Sequence, residues 1–285
     1  MTRRLGQNGH MTKLAPIFAL HSGPSIPAIG LGTWPLDDRE VEEMCLRGFE
    51  IGYRLIDTAE NYRNEAGVGK AVRDSGLPRE ELFVTTKFNK NWHADAVAGV
   101  QNNLRTLGLD YADLVLIHWP NPDQNLYVRA WEGLIEARER GLVRAIGTSN
   151  FTPAHLDRLI ETTGVVPDVN QVQCNPWADR REERAFHAEH GIITESWGPL
   201  GAGNGLVEDP LVEQLAAERG VAPGQVVLAW HIQQGLVPIP KSSNPERLAS
   251  NFQALEVELS DDDITALSEL TNPDYGVSDP DRFGH

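Results

Sequence analysis

Residues 83–118 read FVTTKFNKNWHADAVAGVQNNLRTLGLDYADLVLIH, and this stretch decides the fold. It begins with one apolar, β-branched run, Phe83–Lys87, and ends with another, Leu114–His118. Between them, apolar residues recur at three- and four-residue steps, which places them on one face of a helix. These positions are Val97, Val100, Leu104 and Leu107. Gly108 follows, and a glycine in the left-handed conformation commonly ends a helix. The stretch therefore predicts a strand, a helix and a second, parallel strand.

The same unit recurs along most of the chain. Its predicted strands are Ile29–Thr33, Arg54–Thr58, Phe83–Lys87, Leu114–His118, Val143–Thr148, Val169–Gln173, Ile192–Ser196 and Val237–Pro240. Glycines predicted to end the intervening helices are Gly76, Gly108, Gly141, Gly164, Gly191 and Gly220. An open, doubly wound sheet is the alternative, but the segment 30–35 lacks the third glycine of its fingerprint and no helix follows at once. We therefore predict an α/β fold, a (β/α)8 TIM barrel.

Segments outside the repeat predict additions to the barrel. Ile17–Leu20 and Ser25–Ile29 flank a turn and predict a β-hairpin over the N-terminal mouth. Near the C-terminus we expect extra helices, one over Leu206–Val221 and one whose N-cap lies in the acidic run Asp261–Asp263. The length of 285 residues fits one barrel of ~250 residues with insertions. We expect a single domain over residues 15–285 after a disordered extension over residues 1–14.

Composition narrows the class of protein. The formal net charge of −16 argues against nucleic acid and anionic membranes as partners, because both would be repelled. Apolar residues occur in short blocks, well below the ~20 that a membrane-spanning helix needs. The pair Arg3-Arg4 is not followed by the apolar core of an export signal. Cys45 and Cys174 are too few for a disulfide framework. These features favour a cytoplasmic location.

Four polar residues follow the apolar runs at the strand ends where TIM barrels carry their chemistry. They are Asp57, Tyr62, Lys87 and His118. Each alone has an ordinary interpretation, such as a helix cap or a core histidine. A lysine and an aspartate at the ends of neighbouring buried strands are costly, however, unless they pair. A charged Lys87, held by Asp57, would lower the pKa of Tyr62 from about 10 and make it a better acid. His118 would orient a substrate carbonyl oxygen.

The motifs around these residues resemble the tetrad of the aldo-keto reductase superfamily. They are Asp57-Thr-Ala-Glu-Asn-Tyr62, Thr-Thr-Lys87 and Leu-Ile-His118-Trp-Pro. The segments Ile29-Gly-Leu-Gly-Thr-Trp-Pro35 and Ser196-Trp-Gly-Pro-Leu-Gly201 are similar to the bacterial 2,5-diketo-D-gluconate reductase-like branch. The resemblance implies a monomeric enzyme without a metal that uses NADPH to reduce a small carbonyl compound by hydride transfer. In it Tyr62 is the general acid, and Asp57, Lys87 and His118 complete the catalytic group.

The resemblance also implies the contacts to NADPH and NADP+. Ser149, Asn150 and Gln171 would contact the nicotinamide carboxamide, and Trp197 would stack on the nicotinamide ring. Gly198 would lie in the loop that binds the pyrophosphate. Lys241, Ser242 and Arg247 would bind the 2′-phosphate, and Asn251 would contact the adenine. Leu200 and Ser243 are further implied cofactor contacts. For Ser149 and Asn150 an ordinary helix cap remains the alternative. Asn244 departs from the pattern, since relatives often carry a basic residue there, so use of NADH stays open.

The substrate is the least determined part of the prediction. We expect Trp34, Trp92, His118 and Trp119 to line the pocket, although loop tryptophans often merely pack against the surface. The segment Cys174–Trp177 departs from the family's aromatic-His-Pro pattern and leaves the pocket shape open. Dicarbonyls, keto-sugars or keto-acids such as 2,5-diketo-D-gluconate, and aromatic aldehydes are the candidate substrates.

Two other functions are weighed against the reductase. A Schiff-base aldolase would use Lys87 as its nucleophile. A regulatory subunit would bind a nicotinamide cofactor with little turnover. The aldolase gives no role to the cluster Lys241–Arg247 or to Trp197. Nothing in the sequence supports the regulatory subunit, since all four tetrad residues are present and no partner-binding extension stands out.

Overall fold

The computed structural model describes residues 3–5 and 11–283. Two short antiparallel pairs precede the barrel: β1 (Arg3–Leu5) with β2 (Met11–Lys13), and β3 (Ile17–Ala19) with β4 (Ser25–Pro27). Eight parallel strands then pair each with the next in chain order. They are β5 (Gly30–Gly32), β6 (Leu55–Asp57), β7 (Phe83–Phe88), β8 (Ala112–Ile117), β9 (Val143–Ser149), β10 (Val169–Gln173), β11 (Ile193–Trp197) and β12 (Val237–Pro238).

The first and last barrel strands meet at Gly32. Its N–H donates to the carbonyl oxygen of Pro240 at 3.2 Å, and it forms a parallel bridge with Lys241. A Cβ at this position would lie 2.6 Å from the carbonyl oxygen of Ile239, so the close approach requires glycine. The predicted (β/α)8 barrel is confirmed. All eight predicted strands overlap the observed ones, with ends that differ by at most two residues.

Ten α-helices occur in the described part of the chain. They are α1 (Asp38–Ile51), α2 (Glu65–Asp74), α3 (Ala96–Leu107), α4 (Tyr127–Glu139), α5 (Pro153–Thr163), α6 (Arg181–His190), α7 (Pro210–Arg219), α8 (Pro223–Gln233), α9 (Pro245–Gln253) and α10 (Asp261–Ser268). The six glycines predicted to end helices all have a positive φ. The extra helix over Leu206–Val221 is α7, preceded by a 3-10 turn.

The predicted N-cap of α10 needs a correction. Ser260, not the acidic run Asp261–Asp263, is the N-cap, and its hydroxyl accepts the N–H of Asp263 at 3.2 Å. The Asp263 carboxylate in turn accepts the N–H of Ser260 at 2.8 Å. The three aspartates fill the first turn, where negative charge favours the helix.

The hairpin of β3 and β4 closes the N-terminal mouth of the barrel, as predicted. Leu20 and Ile26 join the interior core formed by strand residues such as Leu55, Phe83 and Leu114. These side chains are at most 4% exposed, so the barrel is filled below its C-terminal end. The mouth that remains open is therefore the one to which Asp57, Lys87 and His118 belong.

The proposed boundary after residue 14 stays a prediction. Residues 1, 2 and 6–10 of the predicted disordered extension lie outside the described residues, whereas β1 and β2 form a paired ladder. Among the helices that the structure describes, none has both the length and the apolar character needed to cross a membrane.

Candidate active site

A buried ion pair joins the ends of β6 and β7. The Nζ of Lys87 donates to both carboxylate oxygens of Asp57, at 2.7 and 2.8 Å, and to the carbonyl oxygen of Thr58 at 3.0 Å. Lys87 is 0% exposed and Asp57 is 1% exposed. Charges at this depth persist only when paired and hydrogen-bonded, and this pair meets both conditions. The structure thus brings together the first two residues of the predicted tetrad.

Tyr62 and His118 complete the group. Tyr62 ends a 3-10 turn, Glu60–Tyr62, which follows β6, and its hydroxyl lies 3.5 Å from the Nζ of Lys87. His118 follows β8, and its ring lies edge-on to that of Tyr62 with the centroids 5.8 Å apart. Tyr62 remains half-buried at the mouth, so its hydroxyl can meet a molecule entering from solvent.

The effect of Lys87 on Tyr62 corrects the sequence-based expectation. Burial raises the pKa of Tyr62, and although Lys87 acts to lower it, the pKa remains above its ordinary value. Burial alone lowers the pKa of Lys87, but Asp57 and Tyr62 outweigh it and leave that pKa raised. The prediction that Lys87 makes the pKa of Tyr62 lower than about 10 is therefore wrong for the protein alone, because desolvation is the larger effect. At neutral pH Tyr62 carries its proton and Lys87 its charge.

Glu195 is a further buried acid that the sequence analysis missed. It lies on β11, is 0% exposed, and its Oε2 accepts from the Nε2 of Gln171 at 2.7 Å. The same nitrogen of Gln171 donates to Asp57 at 2.8 Å. The available signal was a carboxylate inside the apolar run Ile193–Trp197, which is costly to bury without a partner.

The predicted carboxamide and ring contacts form one hydrogen-bonded network. The hydroxyl of Ser149 donates to the carbonyl oxygen of Gln171 at 3.1 Å. The Nδ2 of Asn150 donates to Ser149 at 3.0 Å and to the carbonyl oxygen of His118 at 3.2 Å. The indole N–H of Trp197 donates to the Oδ1 of Asn150 at 2.8 Å. These side chains therefore line the mouth next to the tetrad.

The alternative role of Ser149 and Asn150 as a helix cap is wrong. The N-cap of α5 is Thr152, whose hydroxyl accepts the N–H of His155 at 3.3 Å. The polar atoms of Ser149 and Asn150 are used between strand ends instead.

The loop after Trp197, where the pyrophosphate contacts are predicted, has several glycines in the left-handed conformation. Gly198, Gly201 and Gly203 have φ values of 60°, 76° and 80°. No atom lies within 4 Å of where a Cβ of Gly198 or Gly203 would be, so a ligand can approach this backbone closely. Leu200 is half-buried and packs against the apolar core.

The predicted 2′-phosphate site lies beside the N-terminus of α9. Lys241, Ser243 and Arg247 are exposed, and within the described residues neither Lys241 nor Arg247 forms an ion pair. Ser242 donates to the carbonyl oxygen of Asn244 at 2.9 Å. Two cations without carboxylate partners fit an anionic group.

Asn244 has a structural role that the sequence did not reveal. Its side chain is the N-cap of α9 and accepts the N–H groups of Glu246 and Arg247, at 2.8 and 3.0 Å. The position is therefore occupied by a capping residue rather than by a further cation. Asn251, the predicted adenine contact, lies on the same helix and is 8% exposed.

The family model described as the Aldo/keto reductase family matches residues 28–272. The chain belongs to the aldo-keto reductase family. The predicted family and the predicted oxidoreductase class are thereby confirmed, and the general reaction of this family is carbonyl reduction.

Several relatives resemble this aldo-keto reductase over nearly its whole length. The 2,5-diketo-D-gluconic acid reductase B of Corynebacterium sp. (strain SHS752001) is 46% identical over 268 residues, which cover 93% of this chain and 97% of that relative. The methylglyoxal reductase DkgA of Escherichia coli (strain K12) is 42% identical over 269 residues, covering 94% and 98%. A crystal structure of a Gox0644 mutant in complex with NADPH has a TM-score of 0.90 and 38% identity, covering 96% of this chain and all (100%) of that one.

The tryptophans predicted to line the substrate pocket of this aldo-keto reductase lie in different environments. Trp34 is 63% exposed and Trp119 is 6% exposed. Trp92 is held in place, because its indole N–H donates to the Oε1 of Glu60 at 2.9 Å. The Oε2 of Glu60 accepts the N–H of Asn89 at 3.1 Å. Glu60, which the sequence analysis missed, thus joins the turn that carries Tyr62 to the loop that carries Trp92.

The C-terminal tail of the reductase also reaches this mouth. Asn175 donates to the hydroxyl of Tyr275 at 2.8 Å and to the carbonyl oxygen of Gly198 at 3.0 Å. Gln173 donates to the same hydroxyl at 3.1 Å. The departure at Asn175 therefore ties the tail to the loop after Trp197. A cavity of about 210 Å³ lies between that loop and the tail.

A large cavity away from the mouth contains none of the predicted site residues. A cavity of about 870 Å³ lies beside α6 and α10, lined by residues that include Arg184, Gln234 and Ser268. Over the described ranges, no cluster of three or more histidine, cysteine or acidic side chains is arranged to hold a metal ion.

Proposed function

We propose that this aldo-keto reductase uses NADPH to reduce small dicarbonyl compounds, with Tyr62 as the proton donor. One observation carries the proposal. The hydroxyl of Tyr62 lies 3.5 Å from a charged Lys87 and beside the ring of His118, at the open mouth of the barrel. An oxygen that gains negative charge is stabilised where a protonated phenol, a fixed cation and a ring nitrogen donor lie close together.

NADP(H) is the cofactor that the residues fit. Trp197 provides a flat wall beside the tetrad, the loop after it exposes backbone N–H groups, and Lys241 and Arg247 provide positive charge. The bound NADPH supplies the hydride. Related solved structures contain NADPH or NADP. Because a 2′-phosphate is the only group that distinguishes NADPH from NADH, these two cations favour NADPH.

The chain's own residues then handle the oxygen and its proton. His118 orients the carbonyl oxygen toward Tyr62, and Tyr62 donates its proton as the oxygen gains charge. Lys87 stabilises the phenolate that remains, because its ammonium is held by Asp57 and Thr58. Because the pKa of Tyr62 is raised, its hydroxyl keeps its proton at neutral pH until the substrate oxygen gains negative charge.

The substrate class follows from chemistry that two relatives share. Their names specify methylglyoxal and 2,5-diketo-D-gluconic acid. In each molecule, a carbon that bears oxygen is bonded directly to a ketone carbon. An electron-withdrawing neighbour makes a carbonyl carbon a better hydride acceptor. We expect the aromatic side chains of Trp92 and Trp119 to line the pocket that receives such compounds.

The two rival functions have less support. A Schiff-base aldolase needs a neutral Lys87, but the pKa of Lys87 is raised and three oxygen atoms hold its ammonium group. If borohydride trapped a substrate adduct on Lys87, the aldolase would be supported instead of the reductase. A regulatory subunit without turnover would not require the intact arrangement of Tyr62, Lys87 and Asp57.

Steady-state oxidation of NADPH with methylglyoxal and phenylglyoxal tests the proposal. Tyr62→Phe is expected to lower kcat by ~10²–10⁴-fold, because the proton donor is lost, while NADPH binding measured by fluorescence stays unchanged. Tyr111→Phe is the matched control, since Tyr111 precedes β8 at the opposite end of the barrel. No turnover by the wild type, or full activity of Tyr62→Phe, would overturn the proposal.

Oligomeric state and location remain predictions. We expect a monomer in the cytoplasm without a nucleic-acid or membrane partner. Sedimentation of the full chain at several concentrations measures the first, and fractionation of cells the second.

A further inference from the structure

Glu195 is a carboxyl group buried inside the barrel that the proposed mechanism does not use. It lies in the middle of β11, paired in register with Gln171 of β10 and Val237 of β12. The residue is 0% exposed. Its Oε2 accepts from Gln171 at 2.7 Å, and its Oε1 has no hydrogen-bond partner among the described residues. A carboxyl group so placed is costly and requires a reason.

The amide nitrogen of Gln171 is shared by two carboxyl groups. It lies 2.8 Å from the Oδ2 of Asp57 and 2.7 Å from the Oε2 of Glu195. An amide nitrogen has two hydrogens, so both donors are used. Because the amide group is planar, this arrangement also determines the direction of its oxygen. Within the described ranges, the side-chain hydrogen bonds of Gln171 are both made by its nitrogen and none by that oxygen.

The charged groups around Glu195 favour its neutral, protonated form. The titratable groups that face it are Asp57 of β6, Lys87 of β7 and Tyr62 of the turn after β6, whereas β10 and β12 contribute residues that do not titrate. One ammonium group faces two carboxyl groups, and Asp57 binds that ammonium directly. Burial first, and then Asp57, raise the pKa of Glu195 to about 8.

We propose that Glu195 is a positioning residue of the cofactor site, which with Asp57 holds the amide nitrogen of Gln171 so that the amide oxygen of Gln171 accepts from the nicotinamide carboxamide. This inference rests on the proposed function, in which Gln171 contacts that carboxamide. A carboxamide N–H2 group is a donor and needs an acceptor. Without Glu195 only Asp57 would hold the amide nitrogen of Gln171, so the direction of the amide oxygen would be less firmly fixed.

Affinity for the cofactor tests the proposal. Glu195→Leu removes the acceptor while keeping similar bulk, and is expected to weaken NADPH binding by ~3–10-fold, the effect of one buried hydrogen bond. Binding of 2′-phospho-ADP-ribose, which lacks the nicotinamide, should not change. Glu213→Leu, at an exposed position on α7, is the matched control.

A double-mutant cycle separates positioning from a merely structural role. In a chain that already carries Gln171→Leu, the change Glu195→Leu should weaken NADPH binding no further, because the group it positions is gone. Additive losses, or equal losses for NADPH and 2′-phospho-ADP-ribose, would overturn the proposal.

A second variant keeps the proposal testable if Glu195→Leu does not fold. Ionised Glu195 acts to raise the pKa of Tyr62, which makes Tyr62 a weaker acid, so wild-type kcat should decline above about pH 8. Glu195→Gln cannot ionise but keeps an oxygen that can accept from Gln171. It should bind NADPH with nearly the affinity of the wild type and should lack the decline near pH 8. A loss of NADPH affinity in Glu195→Gln of the ~3–10-fold size expected for Glu195→Leu would count against the proposal.

Failure of this inference is distinguishable from failure of the proposed function. If the wild type does not oxidise NADPH with any dicarbonyl, the proposed function has failed. If the wild type turns over while the Glu195 variants bind NADPH and respond to pH as it does, only the positioning role has failed.

Discussion

Both ends of the barrel bury carboxyl groups, but only one end leaves their charges incompletely balanced. At the N-terminal end, Asp113 accepts the N–H of Val84 at 2.9 Å and pairs with Arg79 and Arg144 at 2.7 and 3.0 Å. Asp168 accepts backbone N–H groups of both the hairpin turn and β9, each at 3.1 Å. These carboxylates hold neighbouring elements together.

The C-terminal end uses similar groups with fewer partners. There a single ammonium group, that of Lys87, faces Asp57 and Glu195 and lies 3.5 Å from the hydroxyl of Tyr62. The Oε1 of Glu195 has no hydrogen-bond partner in the described part of the chain. The comparison shows that burial of a carboxylate does not indicate function by itself. The cluster at the C-terminal end differs in that one of its carboxyl oxygens is unpaired and the cluster lies beside an open mouth.

The largest expected effect comes from removing the one cation at the C-terminal end. Lys87→Met should lower kcat by ~10²–10⁴-fold, and it should destabilise the fold by about 3–5 kcal/mol because Asp57 is left charged and buried. Adding Asp57→Asn should restore most of the stability but none of the activity. Urea unfolding and steady-state kinetics measure the two effects. Recovery of kcat in the double variant would show that the pair is only structural.

The N-terminal end should respond in stability alone. Asp113→Asn is expected to destabilise the fold by about 2 kcal/mol, less than a fully buried pair would, because Arg79 and Arg144 are 22% and 46% exposed. The kcat of the folded enzyme should stay within about twofold of the wild type, because Asp113 lies at the end of the barrel opposite Tyr62 and Lys87. Asp110→Asn, at an exposed position nearby, is the control for thermal unfolding. A large loss of kcat would erase the distinction between the two ends.

A smaller effect is expected at the edge of the mouth. Glu60→Gln weakens the hold on Trp92 and Asn89, and should raise KM for phenylglyoxal by ~3–10-fold, with a smaller rise for methylglyoxal. Trp92→Phe removes the same hydrogen bond, so the two changes should not be additive. Glu43→Gln, on the exposed face of α1, is the control. Additive effects would mean that Glu60 acts independently of Trp92.

The smallest effect concerns Asn244. Asn244→Ala should cost about 1 kcal/mol of stability through the lost cap of α9, and should change the ratio of NADPH to NADH affinity by less than about twofold. Arg247→Leu should lower NADPH affinity by roughly tenfold while NADH binding stays unchanged. Calorimetric titration with both cofactors measures this. A strong loss of NADPH preference in Asn244→Ala would show that Asn244 contacts the phosphate itself.

The residues that sequence could identify are those at the ends of apolar runs. Asp57, Lys87 and His118 each interrupt a local pattern, and Tyr62 lies close behind one of them, so their presence at one mouth follows from the order of the strands. Glu195 lies inside its run. Its partner Gln171 belongs to a different strand, and only the register of β10 with β11 brings the two together.

The sequence by itself determined the eight βα units, the glycines that end their helices and the side chains at the mouth, because these depend on local periodicity. The tertiary structure alone decided the balance of charges there. It shows that desolvation outweighs Lys87 at Tyr62, that Glu195 and Asp57 share one amide of Gln171, and that Glu60 holds Trp92. Desolvation and hydrogen bonding depend on distances between segments far apart in the chain, and no local pattern encodes those distances.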